Sequence, residues 1–326
     1  MRLAAFAVAA AAVFAGAAGI GAVAGPLDVE TTSEQMADHD AGAGSDHTEE
    51  AEHGAEAGSN GHGTGKPELP GGLMVAQDGY TLDLEKAKRP TSANAAVQFR
   101  VLGPNGKPVT AYTKAHGKDL HLIAVRRDTT GYQHVHPRLG SGGQWTTNLD
   151  LSAAGEYRLF ADFVPEGDDG LTLGTDLSVS GTYEPQPLPE PTRSVHVDGY
   201  TVSLDGTLTP GKSSLLTLSV SKDGEPVTDL QPYLEAYGHL VALRDGDLAY
   251  LHVHPDGVPG DGETEPGPEI RFFAEVPSAG TYRLFLDFKH EGEVRTADFT
   301  VHAGHAGEVG PDVDSDHDEA ADTHGH

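Results

Sequence analysis

Apolar and polar positions alternate along much of the chain, as in Val97, Phe99 and Val101, in Tyr157, Leu159, Ala161 and Phe163, and in Leu216, Leu218 and Val220. A period of two puts such side chains on one face of an extended backbone, so these runs predict half-buried β-strands. Asn-Gly and Asp-Gly turns punctuate them, at Asn105-Gly106 and Asp223-Gly224 among others. Short strands separated by such turns predict a sandwich of the immunoglobulin type, in architecture only, because the cysteine–tryptophan–cysteine core of antibody domains is absent. After the N-terminal segment no sustained helical period interrupts the pattern.

The pattern occurs twice. Asp78-Gly79-Tyr80-Thr81 returns as Asp198-Gly199-Tyr200-Thr201, and Lys107-Pro108-Val109-Thr110 returns as Glu225-Pro226-Val227-Thr228. Tyr157-Arg158-Leu159-Phe160 returns as Tyr282-Arg283-Leu284-Phe285, after a loop inserted from Asp256 to Pro268 in the second copy. The chain is therefore expected to be all-β, with two tandem immunoglobulin-like β-sandwich domains over 76–184 and 194–303. A Pro-rich linker at 185–193, semi-rigid and polyproline-like, is expected to keep them distinct.

The ends read differently. Residues 1–24 carry one charge, Arg2, and an Ala-rich apolar run ending Ala22-Val23-Ala24, which reads as a signal peptide or, uncut, as an N-terminal membrane anchor. Either places the rest outside the cytoplasm, secreted or tethered to the membrane by that segment alone. Residues 25–75 and 304–326 are acidic, poor in large apolar side chains and dotted with histidines, including His39, His47, His53, His62, His305, His317, His324 and His326. Such segments bury too little apolar surface to offset the entropy of ordering, so they are expected to be a disordered tether and tail.

Charge and composition narrow the function classes. A formal net charge of −29 from 21 basic against 50 acidic residues opposes nucleic-acid binding and suits cations. The absence of cysteine excludes disulfides and thiolate metal sites. No nucleophile elbow, phosphate-binding glycine loop or isolated carboxylate pair points to hydrolysis or phosphoryl transfer, so no enzymatic activity is expected.

The chemistry-bearing residues lie in the repeats. His121 precedes the run Tyr132-Gln133-His134-Val135-His136-Pro137, and His239 precedes Tyr250-Leu251-His252-Val253-His254-Pro255. Alternation puts both histidines of each His-Val-His on one strand face, and an antiparallel hairpin turn at Asp128 to Gly131 brings His121 towards that pair. The expectation is one divalent ion per repeat, held by His121, His134 and His136 and by His239, His252 and His254. Asp162 and its counterpart Asp287 are further candidates, as ligands or as carboxylates that orient a histidine. Imidazole without thiolate suits copper(II) first, with zinc as the alternative. His116, His196 and His290 have no counterpart in the other repeat and read as surface residues.

Leu-His-Leu-Ile-Ala-Val-Arg-Arg-Asp, His-Val-His-Pro and Tyr-Gly-His-Leu-Val-Ala-Leu-Arg resemble blocks of a group of actinobacterial secreted or membrane-anchored two-repeat proteins, a likeness that carries no activity with it. By architecture and composition the chain is also loosely similar to periplasmic copper-handling β-sandwich domains of the CopC and YtkA type. That similarity implies an extracytoplasmic protein that buffers copper at the cell surface or delivers it, with a membrane metal transporter as partner. Two other readings stay open: a metal-free cell-surface interaction module, and a copper-dependent redox enzyme of superoxide dismutase-like chemistry.

Overall fold

A computed structural model describes residues 69–251 and 253–304. The leader, the tether up to residue 68, the tail from residue 305, and His252 lie outside the described residues. The first repeat contains β1 (Ala76–Gln77), β2 (Tyr80–Leu84), β3 (Lys88–Pro90), β4 (Ser92–Leu102), β5 (Tyr112–Thr113), β6 (Leu120–Arg126), β7 (Gln133–Val135), β8 (Arg138–Leu139), β9 (Gln144–Leu151), β10 (Gly155–Pro165) and β11 (Leu171–Ser180). The second contains β12 (Ser194–Val197), β13 (Tyr200–Asp205), β14 (Ser213–Lys222), β15 (Glu225–Pro226), β16 (Gly238–Arg244), β17 (Tyr250–Leu251), β18 (Val253–Pro255), β19 (Glu269–Glu275), β20 (Gly280–His290) and β21 (Glu293–Ala303). Among the described residues no helix is long and apolar enough to cross a membrane.

Each repeat is a two-sheet sandwich. In the first, the sheet β1-β2-β4-β9-β8 faces the sheet β3-β11-β10-β6-β7, with β5 added on β10. In the second, β12-β13-β14-β19-β18 faces β17-β16-β20-β21, with β15 added on β14. The alternating residues fill each interior: Val97, Phe99, Leu159 and Phe163 in one core, Leu216, Leu218, Leu284 and Phe288 in the other. The fold is the expected pair of immunoglobulin-like sandwiches.

Alternation accounts for one face of β6, β10, β16 and β20, yet every residue of β6 is buried. Ile123, Val125 and Phe160 project from the opposite face and pack with Val241, Leu243, Leu248 and Phe285 in a third apolar cluster shared by the two repeats. Burial of each such side chain contributes about 1.5–3 kcal/mol. The linker therefore does not hold the repeats apart; an apolar interface joins them.

Residues 69–75, placed in the tether by their composition, lie against both repeats. The Gly72 N–H donates to the Thr172 carbonyl at 2.8 Å, and the Tyr250 N–H donates to the Gly71 carbonyl at 2.9 Å. Gly72 adopts φ +72°, and a Cβ there would stand 2.3 Å from the Phe160 ring, so the strap follows this path only with glycine.

Candidate metal centre at the junction of the repeats

The β6–β7 hairpin forms with Ile123 opposite His134 and Leu122 opposite Val135, which carries His136 towards His121. On β6, Leu120, Leu122 and Ala124 point into the first core. His121 is thereby left on the face that meets the second repeat, where β16 and β20 supply His239 and Asp287 opposite each other in register. His121, His134 and His136 can each place a ligand atom within 4.8 Å of the others, and so can His134, His239 and Asp287. His134 belongs to both groups, so the two form one cluster across the junction.

His121 Nδ1 lies 3.1 Å from His134 Nε2, His121 Nε2 lies 2.9 Å from the Ala115 carbonyl, and His134 Nδ1 lies 2.8 Å from Asp287 Oδ2. Both ends of this chain of contacts, the Ala115 carbonyl and the Asp287 carboxylate, are acceptors. If each ring donates outward, to Ala115 and to Asp287, then His121 Nδ1 and His134 Nε2 face each other with bare lone pairs. A carbonyl or carboxylate that takes the second ring N–H is the usual way a ligating histidine is oriented. His136 Nε2 and His239 Nδ1 are buried beside them, with no hydrogen-bond partner among the described residues. Their ring centroids lie 4.9 and 4.6 Å from that of His134.

Burial disfavours the charged imidazole at His121, His136 and His239. It lowers the His121 pKa to about 4, against the Ala115 carbonyl contact, which acts the other way. Burial and the neighbouring imidazoles lower His136 to about 3 and put His239 well below its ordinary value. Burial, with Asp287 nearby, pushes the Tyr233 phenol up to about 12, and its ring stands edge-on to His136. His121, His136 and His239 are thereby held in the neutral form at pH 7, the state in which imidazole binds metal.

The remaining sequence candidates fall elsewhere. Asp162 accepts from Thr172 Oγ1 at 2.9 Å and belongs to neither group of metal-ligating residues. His254 lies exposed on β18, which pairs with β19 in the other sheet of the second repeat. Of the second expected trio, His239 thus stands with the first repeat's histidines and His254 lies apart from them, while His252 is outside the described residues. His116, read as a surface residue, lies with its ring 6.1 Å from that of His121 and 5.8 Å from that of His239. Its counterpart in the second repeat is Leu234, so repetition gave no signal for it. His290, also read as a surface residue, is buried between the Tyr200 hydroxyl and Asp229. His196 is exposed, as expected.

Among solved structures, the chain is similar to the Escherichia coli adhesin FdeC at 14% identity, over 70% of this chain and 65% of that one, with a TM-score of 0.24. It is similar to InvD of Yersinia pseudotuberculosis at 11% identity, over 73% and 62%, with a TM-score of 0.24. An invasin described as a bacterial integrin-binding protein matches at 12% identity, over 68% and 39%, with a TM-score of 0.20. The chain spans less than two thirds of each of these proteins, and at such scores they carry no functional argument. No curated protein matches. The expected likeness to copper-handling domains of the CopC and YtkA type is not among these findings. A family described as "Domain of unknown function (DUF8832)" matches residues 75–179 and again 195–305, one copy on each sandwich. The chain belongs to the DUF8832 family, as a tandem pair of its domains.

Proposed function

We propose that this is an extracytoplasmic metal-binding protein that holds one divalent cation, copper(II) first and zinc second, at the junction of its repeats, and buffers or delivers it at the cell surface. The observation that carries the reading is the facing of His121 Nδ1 and His134 Nε2 at 3.1 Å, beside two further buried imidazole nitrogens that have no hydrogen-bond partner among the described residues. A cation between such nitrogens removes the repulsion of their lone pairs, and an imidazole–carboxylate set without sulfur suits borderline ions, copper(II) above zinc. The apolar leader supports a place outside the cytoplasm, and a membrane metal transporter is the partner that delivery would require. Calorimetry of the full chain with copper(II) and with zinc tests this. One tight site is expected above the weak binding of the histidine-containing tails, and the His134→Ala variant is expected to lose it and keep the weak phase.

The contact between His134 and Asp287 favours a second reading. It ties the first repeat to the second without an ion, as a metal-free cell-surface interaction module would need in order to present its loops rigidly. Absence of a tight phase in the native chain, or its survival in His134→Ala, would favour this module.

A further inference from the structure

The ligand atoms gathered at the junction are largely closed to solvent. His121 is 2% exposed, and the side chains of His134 and Asp287 are buried against each other. The nitrogens His136 Nε2 and His239 Nδ1 are buried as well. A hydrated cation that enters such a site sheds water before it gains nitrogens, and a charge taken out of water without partners is costly. Exchange of the ion therefore needs a ligand that reaches solvent and stands next to the buried ones.

His116 meets both conditions. It lies half-buried on the turn from Ala115 to Lys118, where the Ala115 N–H donates to the Lys118 carbonyl at 3.0 Å and the Lys118 N–H to the Ala115 carbonyl at 3.1 Å. Its ring is the third corner of a triangle with those of His121 and His239. The latter two are stacked 5.6 Å apart, and His116 stands steeply inclined to both, at 6.1 and 5.8 Å. Two imidazoles on one ion are about 5–6 Å apart by ring centre, because each nitrogen lies about 2.0–2.1 Å from the metal. His116 is thus within reach of an ion shared with either ring. It nevertheless belongs to neither set whose ligand atoms lie within 4.8 Å of one another. That puts it beside the resting site and not in it.

The same turn also holds an inner ligand. The Ala115 carbonyl, one residue before His116, contacts His121 Nε2 at 2.9 Å, so the half-buried ring and the group that orients His121 are neighbours in the chain. The matching turn of the second repeat, Tyr233 to Ala236, closes through the same pair of bonds, at 2.8 and 3.2 Å. There the buried Leu234 takes the place of His116. The two turns meet, since a Cβ on Gly117 would lie 3.5 Å from Glu235 Oε1. Glu235 and Lys118 are both exposed at this rim, so these two side chains leave it without net positive charge towards an arriving cation.

We infer that His116 is the exchange ligand of the junction site, which takes the cation from solvent or a donor, passes it to His121 and His239, and offers it to an acceptor on the way out. This route presupposes the metal-binding reading above and adds the path by which the ion moves. Only metal–ligand bonds change: water leaves the ion at His116, and the nitrogens of the inner histidines replace first water and then His116. A ligand used only in transit lowers the barrier equally in both directions, so it sets the rates of uptake and release and leaves the affinity alone.

Stopped-flow mixing of copper(II) with the full-length chain reads uptake, transfer to excess EDTA reads release, and calorimetry reads affinity, for the native chain and for His116→Asn. Asparagine suits the positive φ of 49° at this position, so the turn is kept. Both chains retain their tails, which makes the weak phase common to them. Uptake and release by the tight site are expected to be about tenfold slower in His116→Asn, with Kd within about twofold of native, and added free imidazole should speed the variant more than the native chain. Unchanged rates would overturn the inference, as would slowed rates that imidazole does not restore, which would leave His116 a structural part of the turn. A Kd weakened by about tenfold or more with uptake unchanged would make His116 a resting ligand and overturn it too. No tight phase in the native chain would fail the metal-binding reading itself, and this route with it.

Discussion

The His-Val-His-Pro run occurs in both repeats, and the chain uses it in two ways. In the first, Gln133–Val135 stays on β6 and the chain crosses to the other sheet only after Pro137, where β8 pairs with β9. In the second, Tyr250–Leu251 holds β16 for two residues, and Val253–Pro255 has already crossed to β19. The long loop from Asp256 to Pro268 follows at once, anchored by the Asp256 N–H on the Arg271 carbonyl. A crossing made earlier carries His254 to the outside, while His134 and His136 stay at the junction. The same tetrapeptide is thus part of a buried cluster in one copy and exposed in the other at its last histidine, and the strand pairing of its neighbours decides which.

The largest effect should come from the interface both copies share. Phe160→Ala and Phe285→Ala should each destabilise the chain by about 3–5 kcal/mol in denaturant titrations, as large-to-small changes in a packed core do. A much smaller cost for either would show that the junction is less symmetric than its residues.

Next is the asymmetry of the histidines. His134→Ala should weaken tight copper(II) or zinc uptake at least about 100-fold, and Asp287→Asn about 10–100-fold by disturbing the orientation of His134, whereas His254→Ala should leave it unchanged. Calorimetry on the three variants reads this directly, and equal losses for His134 and His254 would restore two like sites.

A smaller effect is expected in the strap. Gly72→Ala forces an L side chain into positive φ against Phe160 and should cost about 1–2 kcal/mol or more, while Thr192→Ala at the aligned linker position should cost less than about 0.5 kcal/mol. Thermal or denaturant unfolding of both variants measures the difference.

The most gradual effect is that of pH on the metal-free chain. His121 and His136 have folded pKa values of about 4 and about 3, below the ordinary 6.5, so between these values the unfolded chain binds the extra protons. Their contribution is full above pH 6.5 and is lost as pH falls towards 3, by up to about 1.4 kcal/mol per pH unit for the buried His121 and by less for the partly exposed His136, where solvent screens the charge. Unfolding free energies measured from pH 7 to 4 should follow this slope and flatten in His121→Ala, and a slope unaffected by that change would remove His121 from the buried set.

Much of this was legible in one dimension. Period-two alternation and the doubled turn motifs determined the two sandwiches, because a strand with one face buried must repeat every second residue. The His-Val-His spacing determined that His134 and His136 share a face, and the β6–β7 turn determined that His121 approaches them. The run Leu120 to Val125 is apolar on both faces, and that was the available sign that β6 is covered twice. Which surface covers it was decided only by the packing of β6 and β10 on β16 and β20, a contact between residues far apart along the chain. That packing brings His239 and Asp287 to the first repeat's histidines, draws in His116, and lays residues 69–75 against both domains. A single strand's pattern tells which side is buried; it holds no information about the partner, because burial is satisfied by any apolar surface of complementary shape.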